Sequence, residues 1–262
     1  MTPIPPHPTT THRLFGHERV AAGYASARPF LHPEVFARVR DLIGMPRPRP
    51  RALDVGCGTG LSSMALRELA RDVTGIDASV PMLRRARRAP RVHYLASTAE
   101  ELPFRPGSFD LVTACGAIDW VDRDRFLPRA TELLTARGWL ILLDFGDARR
   151  SPAMPALEAW HRQVLERKWP TPFSPDPMVT GPEASRCGLG EPRDHRFETE
   201  WSFTASEYVD FLMTESNVIA AVEYGEGSAP EIRRWLEEEL SGMFGEQSRP
   251  VTFAGYIQII SR

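Results

Sequence analysis

The sequence is poor in the residues that would tie it to metal, disulfide or Schiff-base chemistry. Its three cysteines, Cys57, Cys115 and Cys187, are widely spaced, odd in number, and include no Cys-x-x-Cys pair. This pattern favours a reduced intracellular compartment and predicts no metal site. Lysine occurs once, at Lys168, while arginine supplies the other 31 of the 32 basic residues. Schiff-base chemistry, which needs a positioned and desolvated lysine, therefore has one poor candidate.

Excess charge and long apolar runs are also missing. The formal net charge is -2, which offers no global attraction to nucleic acid or to an anionic membrane. No apolar run reaches the roughly 18 residues of a membrane-spanning helix. The first eleven residues are rich in proline and threonine, unlike a secretory signal. These absences predict a cytoplasmic protein with neither nucleic acid nor a membrane as partner.

Past Pro50, short apolar runs alternate with longer amphipathic ones, which is typical of parallel strands joined by crossover helices. Predicted strands cover 52–55, 73–77, 92–95, 109–114 and 139–144, with helices over 61–70, 81–89 and 125–135. A proline-rich stretch then breaks the alternation, with one helix over 156–168. Strands over 193–203 and 251–260 and helices over 205–216 and 230–243 follow. The chain is thus divided into an N-terminal tail and lid segment (1–32), an α/β core (33–145), a cap insertion (146–192) and the C-terminal part of the core sheet with helices (193–262).

A glycine-rich turn joins the first predicted strand to the next helix, with the sequence LDVGCGTG over residues 53–60. Glycines in such a turn let the backbone bend tightly and let a ligand approach the main chain. Asp77 ends the second strand 17 residues after Gly60, where a carboxylate can accept hydrogen bonds from both hydroxyls of a ribose. Together the two features predict a ligand that contains adenosine.

The glycine spacing opposes a dinucleotide. The dinucleotide fingerprint places a third glycine where this chain has Leu61, and Asp54 would repel a pyrophosphate. An amino acid in place of the pyrophosphate removes that conflict, because the carboxylate can attract the ammonium directly or through water. The predicted ligand is adenosine joined to an amino acid, and a nicotinamide oxidoreductase is the less favoured alternative.

The turn and Asp77 resemble motif I and the acidic motif of class I S-adenosylmethionine-dependent methyltransferases, in the small-molecule group of the trans-aconitate and ubiquinone/menaquinone-type enzymes. The resemblance continues in AEELPF (99–104), GSFDLV (107–112) and YASARP (24–29). It implies a doubly wound α/β fold with a helical cap. The implied sheet has seven mostly parallel strands in the order 3-2-1-4-5-7-6, with the last strand antiparallel and the cofactor over the carboxyl ends of strands one, two and four.

The resemblance also implies S-adenosyl-L-methionine as cofactor, with S-adenosyl-L-homocysteine as product. The residues implied to bind the cofactor are Tyr24, Asp54, Gly56, Cys57, Gly58, Gly60, Asp77, Ala78, Ser79, Met82, Thr98, Ala99, Glu100, Cys115 and Trp120. Thr98 stands where many relatives have an aspartate that binds the adenine amino group, with the Ala99 backbone and the Glu100 side chain as substitutes. Tyr24 and Trp120 are candidates to face the sulfonium, because aromatic faces attract cations.

Methyl transfer depends more on alignment and exclusion of water than on reactive side chains. A base is needed only where the nucleophile loses a proton. The candidates are Asp119, after strand four, and Glu215, in the polar cluster 213–217 of a predicted helix. Relatives often read His-Trp where this chain has Asp119 and Trp120.

The predicted function is methylation of an enclosed small molecule at an O, N or C atom, with a specialised metabolite or an organic acid as the expected acceptor. The alternative within the same fold is an S-adenosylmethionine-binding protein that does not methylate, either a cyclase or a regulatory module. The sequence leaves the oligomeric state open.

Overall fold

The computed structural model describes residues 14–172 and 176–262, so the predicted N-terminal tail up to residue 12 lies outside the described residues. Its strands are β1 (Arg49–Val55), β2 (Ala70–Asp77), β3 (Val92–Ala96), β4 (Phe109–Cys115), β5 (Leu134–Arg150), β6 (Arg193–Phe203) and β7 (Arg249–Ser261). Its helices are α1 (Glu18–Ala27), α2 (His32–Leu42), α3 (Leu61–Leu66), α4 (Val80–Arg84), α5 (Arg123–Leu133), α6 (Ala156–Trp160), α7 (Glu166–Lys168), α8 (Gly181–Arg186), α9 (Ala205–Leu212), α10 (Ser216–Glu223) and α11 (Ala229–Phe244).

All seven strands form one sheet in the order β3-β2-β1-β4-β5-β7-β6. Strands β1 to β5 pair in parallel, while β7 runs antiparallel to both β5 and β6. This is the strand order and direction that the sequence resemblance predicts, and the structure confirms it. Because the chain turns to β2 on one side of β1 and to β4 on the other, a crevice opens at the carboxyl end of β1.

Both faces of the sheet are buried, as parallel sheets require. In β5, Ile141 and Leu143 belong to the apolar cluster formed with α2, α3, α9 and α11, whereas Leu140 and Leu142 belong to the cluster formed with α5 and α8. Alternation along the strand thus sends neighbouring side chains to opposite layers. No described helix has the length and apolar character needed to cross a membrane.

Two helices are shorter than the sequence predicts. The helix expected over 61–70 ends at Leu66, because β2 already begins at Ala70, which pairs with Arg49 of β1. The helix expected over 81–89 ends at Arg84, and the backbone N–H of Arg87 instead donates to the carbonyl of Thr59 at 3.0 Å. Pairing with distant backbone overrides local helix propensity in both places.

Three further expectations for the C-terminal half are wrong in detail. Strand β5 continues past residue 144 to Arg150 through register shifts against β7, so the stretch expected to begin the cap starts as sheet. The helix expected over 156–168 is interrupted by a π-helical turn, His161–Leu165. The helix expected over 205–216 ends at Leu212, which places Glu215 at the start of α10 instead of inside a helix.

We expect Gly255→Ala to lower the free energy of unfolding by about 1–3 kcal/mol, the usual cost of overpacking. An added Cβ would lie 2.5 Å from the carbonyl oxygen of Asp144 and 2.7 Å from the Cβ of Phe145, where β7 crosses the irregular part of β5. The matched control is Gly242→Ala in α11, where an added Cβ meets nothing within 4 Å. That change should raise stability by up to about 1 kcal/mol. Urea denaturation measures both, and equal effects of the two changes would contradict the packing.

Candidate functional site

A cavity of about 1060 Å³ opens at the carboxyl ends of β1, β2 and β4. Its walls come from the glycine turn after β1, the ends of β2 to β5, helix α1 and the π-helical turn. Ligand cavities commonly measure about 300–1,000 Å³. The volume lies at the upper end of this range and leaves room for a large ligand or for a ligand and a second small molecule.

The glycine turn forms the floor of this cavity and depends on left-handed backbone. Gly56 has a φ of 67°, and an added Cβ there would lie 2.5 Å from the Cβ of Ala117. Gly58 has a φ of 51°, and an added Cβ there would meet nothing within 4 Å. Gly60 packs against Tyr94 and does not line the cavity. Gly58 thus leaves open space above the turn, while Gly56 and Gly60 permit close packing beneath it.

Asp77, at the end of β2, is held by the backbone on both sides. Its Oδ2 accepts from the N–H of Gly58 at 2.8 Å, and its Oδ1 accepts from the N–H of Ser79 at 2.7 Å. Burial raises the pKa of this carboxyl group, while the two N–H donors act in the opposite direction. Each oxygen keeps a further acceptor position, so the oriented carboxylate can bind two neighbouring hydroxyls in the cavity.

Asp54 lies below the turn, fully buried and outside the cavity lining. Its Oδ2 accepts from the hydroxyls of Ser62 at 2.7 Å and Ser63 at 2.6 Å, and its Oδ1 accepts from Thr113 at 3.0 Å. Burial raises its pKa to about 6, against the three hydroxyl donors. The side chain therefore ties β1 to α3 and β4, and its attraction of a cofactor ammonium, directly or through water, stays a prediction.

Most of the residues predicted to bind the cofactor come together around this cavity. Those that line it are Tyr24, Gly56, Cys57, Gly58, Asp77, Ala78, Met82, Thr98, Ala99, Glu100, Cys115 and Trp120, together with the two predicted bases Asp119 and Glu215. Ser79, like Asp54 and Gly60, does not line it. The hydroxyl of Ser79 instead donates to the carbonyl of Phe15 at 2.8 Å. Ser79 therefore fastens the segment that precedes α1 to the rim of the cavity.

Phe15, which sequence reasoning missed, joins the aromatic residues above the glycine turn. Its ring contacts Tyr24 edge-on with centroids 6.0 Å apart and Trp120 edge-on with centroids 5.0 Å apart. The three rings line one side of the cavity. These aromatic residues at the cavity wall could attract a cationic centre, as predicted for Tyr24 and Trp120.

Arg28 is the second functional residue that sequence reasoning missed. Its Nη2 lies 2.9 Å from Glu215 Oε1 and donates to the carbonyl of Thr214 at 2.8 Å. The guanidinium stacks over Tyr24 and Phe211 at 4.7 and 4.8 Å. Its buried Nε has no hydrogen-bond partner among the described residues. The available signal was the Tyr24–Arg28 spacing of four, which places both side chains on one helix face.

The ion pair between Arg28 and Glu215 affects the pKa values of both side chains. Burial alone would lower the pKa of Arg28, but nearby Tyr24, Glu215 and Asp144 raise it above its ordinary value. Burial raises the pKa of Glu215, while Arg28 acts to lower it. Arg28 therefore remains a buried cation at the cavity wall.

Asp119, in the turn after β4, and Asp144, within β5 beside the end of β4, supply carboxyl groups to the cavity wall. Burial and Asp144 together raise the pKa of Asp119 to about 6, against the opposing effect of Arg123. Its buried Oδ1 has no hydrogen-bond partner in the part of the chain that the structure describes. Asp144, which sequence reasoning missed, accepts from the N–H of Gly146 at 2.9 Å, and burial raises its pKa as well. Asp119 is thus an acceptor that nothing else in the described fold satisfies.

Residues 53–142 match the family described as the methyltransferase domain. Over these residues the chain is similar to a methyltransferase domain, and its sheet has the Rossmann-like methyltransferase fold. The glycine turn and Asp77 lie within the matched residues, as do Asp119 and the end of β4. The family match thus includes the strand edge that forms the cavity floor.

Relatives and solved structures agree with this domain assignment. A Dictyostelium discoideum protein assigned as a methyltransferase is 28% identical over 146 residues, covering 56% of this chain and 54% of the relative. A malonyl-[acyl-carrier protein] O-methyltransferase of Enterobacter lignolyticus is 36% identical over 111 residues, covering 40% and 44%. The chain spans about half the length of the curated relatives it matches. A solved structure assigned to a type II methyltransferase of Anaeromyxobacter dehalogenans superposes with a TM-score of 0.64 at 25% identity, covering 85% of this chain and 94% of that one.

We expect Asp54→Asn to change how the stability of the methyltransferase domain depends on pH. Because burial raises the pKa of Asp54 from 3.8 to about 6, the folded state holds a proton that the unfolded state has lost between those values. Wild-type stability should therefore fall by roughly 3 kcal/mol relative to the variant as pH rises from about 4 to about 6. Asp41→Asn, which removes an exposed carboxylate from α2, is the matched control. Urea denaturation at several pH values measures the difference, and parallel wild-type and Asp54→Asn curves would refute it.

Proposed function

We propose that this protein transfers the methyl group of S-adenosyl-L-methionine to a small molecule enclosed in the cavity. The observation that carries the proposal is the carboxylate of Asp77, fixed by the N–H groups of Gly58 and Ser79 beside a glycine turn in a methyltransferase domain. The carboxylate lines the cavity, which supports the binding of two neighbouring ribose hydroxyls. The part of the cavity that the cofactor does not fill is then left for the methyl acceptor.

The residues around Asp77 fit the remaining parts of the cofactor. Met82 and Ala99 offer apolar surface for the adenine, and Tyr24 and Trp120 offer aromatic faces for the sulfonium. The unpartnered Nε of Arg28 suits the carboxylate of the aminoacyl part. When bound, the cofactor supplies an electrophilic methyl group on a positively charged sulfur. The protein binds and orients it and excludes water from the reaction.

We assign the role of base to Asp119. Its free Oδ1 and its pKa of about 6 make it an anion near neutral pH that can accept the proton lost by the nucleophile of the acceptor. Glu215, the other predicted base, is engaged by Arg28 and positions that guanidinium. The specialised metabolite or organic acid expected as acceptor, the cytoplasmic location and the four-part division of the chain stay predictions.

Asp77→Asn should weaken the binding of both S-adenosylmethionine and S-adenosylhomocysteine at least tenfold. The change removes a charged acceptor for two hydroxyl donors, and each such bond contributes about 1.5–3 kcal/mol. Isothermal calorimetry measures the dissociation constants. Asp72→Asn on the same strand, half exposed and outside the cavity, should leave both unchanged.

The same calorimetry separates the proposal from its alternatives. Wild-type protein that binds NAD in preference to S-adenosylmethionine would overturn the cofactor assignment. A screen of small molecules with a methyl-labelled donor then identifies the acceptor. Cofactor binding with no labelled product from the screen would favour the cyclase or regulatory alternative.

Asp119→Asn should lower kcat/KM for the acceptor found in that screen by about 10²- to 10⁴-fold, the range for loss of a general base. In the wild type, kcat/KM should fall about tenfold per unit as pH drops below about 6, because the carboxylate becomes protonated. The variant should lack this dependence. Glu101→Gln, which changes a neighbouring carboxylate on the cavity rim, is the control. An unaltered pH profile in Asp119→Asn would remove Asp119 from the mechanism.

A further inference from the structure

The cap side of the cavity contains a histidine in a backbone irregularity. His161 begins the π-helical turn His161–Leu165, and both ends of this turn line the cavity. Single π-helical turns within α-helices are rare and frequently occur at functional sites. His161 is buried, with 5% of its surface exposed, yet it borders the volume assigned to the methyl acceptor.

The hydrogen bonds of His161 determine which ring nitrogen carries the proton. The hydroxyl of Tyr208 donates to the carbonyl of Ala148 at 2.6 Å, and the same hydroxyl lies 2.6 Å from Nε2 of His161. A carbonyl can only accept, so the single proton of Tyr208 is used there. Nε2 must therefore donate to the Tyr208 oxygen, which leaves Nδ1 with a lone pair and no proton in the neutral ring.

The Nδ1 lone pair of His161 lacks a hydrogen-bond donor in the described part of the fold. No hydrogen bond reaches Nδ1 from any residue of 14–172 or 176–262. Burial and the charge of Arg149 lower the pKa of His161 to about 3, so the ring stays neutral near pH 7. A neutral acceptor atom at the wall of a cavity can accept from water, and a ligand that displaces this water has to supply a donor in its place.

The other groups lining the cavity indicate what carries this donor. Phe145, Phe211 and Phe253 line the cavity together with His161, and they favour an apolar body. Arg149 also lines it, paired with Asp147 and Glu166. Because Arg149 already pairs with these two carboxylates, the apolar wall and the neutral Nδ1 favour a neutral hydroxyl donor over an ion that would need a charged partner of its own.

We propose that Nδ1 of His161 accepts a hydrogen bond from a hydroxyl group of the methyl acceptor, so that the cavity selects apolar molecules that carry a hydroxyl. This inference rests on the proposed function, because it assigns the cap side of the cavity to the acceptor. His161 is then a specificity residue that touches the substrate, while Asp119 serves the reacting atom. A hydroxyl donor satisfies the lone pair, whereas its methyl ether would displace water from Nδ1 without supplying a donor.

The test compares two probes that differ only in the donor, 4-methylphenol and 4-methylanisole. Both are titrated into protein saturated with S-adenosylhomocysteine, and the ¹⁵N signals of the histidine rings are followed by NMR. Wild-type protein should bind the phenol at least fivefold more tightly than the ether, as one hydrogen bond predicts. The Nδ1 signal of His161 should shift with the phenol alone, and His161→Phe should reduce the preference to less than twofold.

Two controls keep the outcomes distinct. His93→Phe makes the same substitution at an exposed position of β3 and should retain the phenol preference. The ¹⁵N spectrum of the free wild-type protein should show His161 as the Nε2–H tautomer, whether or not His161→Phe folds. An Nδ1–H tautomer, equal affinities or no binding of either probe in the wild type, or a preference that survives His161→Phe would each overturn the inference. Failure of S-adenosylhomocysteine to bind would instead count against the proposed function, and the tautomer measurement does not depend on it.

Discussion

The site depends on one buried carboxylate that lies beneath the cavity lining. Asp54 receives hydrogen bonds from two serines of α3 and from Thr113 of β4, and so fixes the start of the helix and the neighbouring strand relative to the end of β1. The glycine turn spans this fixed frame. Its Gly58 N–H in turn holds Asp77 from β2. A buried anion is costly unless donors satisfy it, and here three hydroxyls do so. The result is a rigid strand edge on which a second carboxylate is held in a set orientation.

The two halves of the cavity are built by different means. The half assigned to the cofactor lies on the ends of parallel strands, whose backbone pairing leaves little freedom, and the family match covers it. The part assigned to the acceptor is bounded by the extension of β5 and the π-helical turn, and the Tyr208 hydroxyl of α9 bonds both of them, at Ala148 and at His161. Loops and inserts on a rigid scaffold are where related folds change their substrates. The chemistry of methyl donation can therefore stay constant while the acceptor changes.

The sequence was informative where local pattern and backbone geometry decide the structure. The strand order followed from a resemblance, and the position of Asp77 followed from strand length and the glycine spacing; both need only contacts between neighbouring strands. Arg28 and His161 escaped prediction because their partners are distant: Arg28 binds Thr214 across 186 positions, and the Tyr208 hydroxyl that orients His161 binds Ala148 across 60. The end of β5 was misplaced for the same reason, since its last residues are strand only because β7, about 100 residues later, pairs with them. Tertiary pairing of this kind leaves no periodic signal in the segment itself.

The polar atoms that the fold leaves unsatisfied also support a ligand-binding role for the cavity. Arg28 Nε and Asp119 Oδ1 are both buried without a hydrogen-bond partner among the described residues. Leaving such a group unpaired costs about 1–3 kcal/mol, and more for a charged one. A ligand that satisfies these atoms recovers that free energy on binding, which strengthens its affinity and fixes its orientation. Arg28 Nε belongs to a cationic guanidinium, which suits the carboxylate of a zwitterionic aminoacyl cofactor. Asp119 Oδ1 belongs to a carboxylate, which suits a nucleophile that donates a proton. Burial also raises the pKa values of Asp77, Asp119 and Asp144, which all line the cavity. A positively charged sulfonium beside them is the kind of ligand that would stabilise their charged forms.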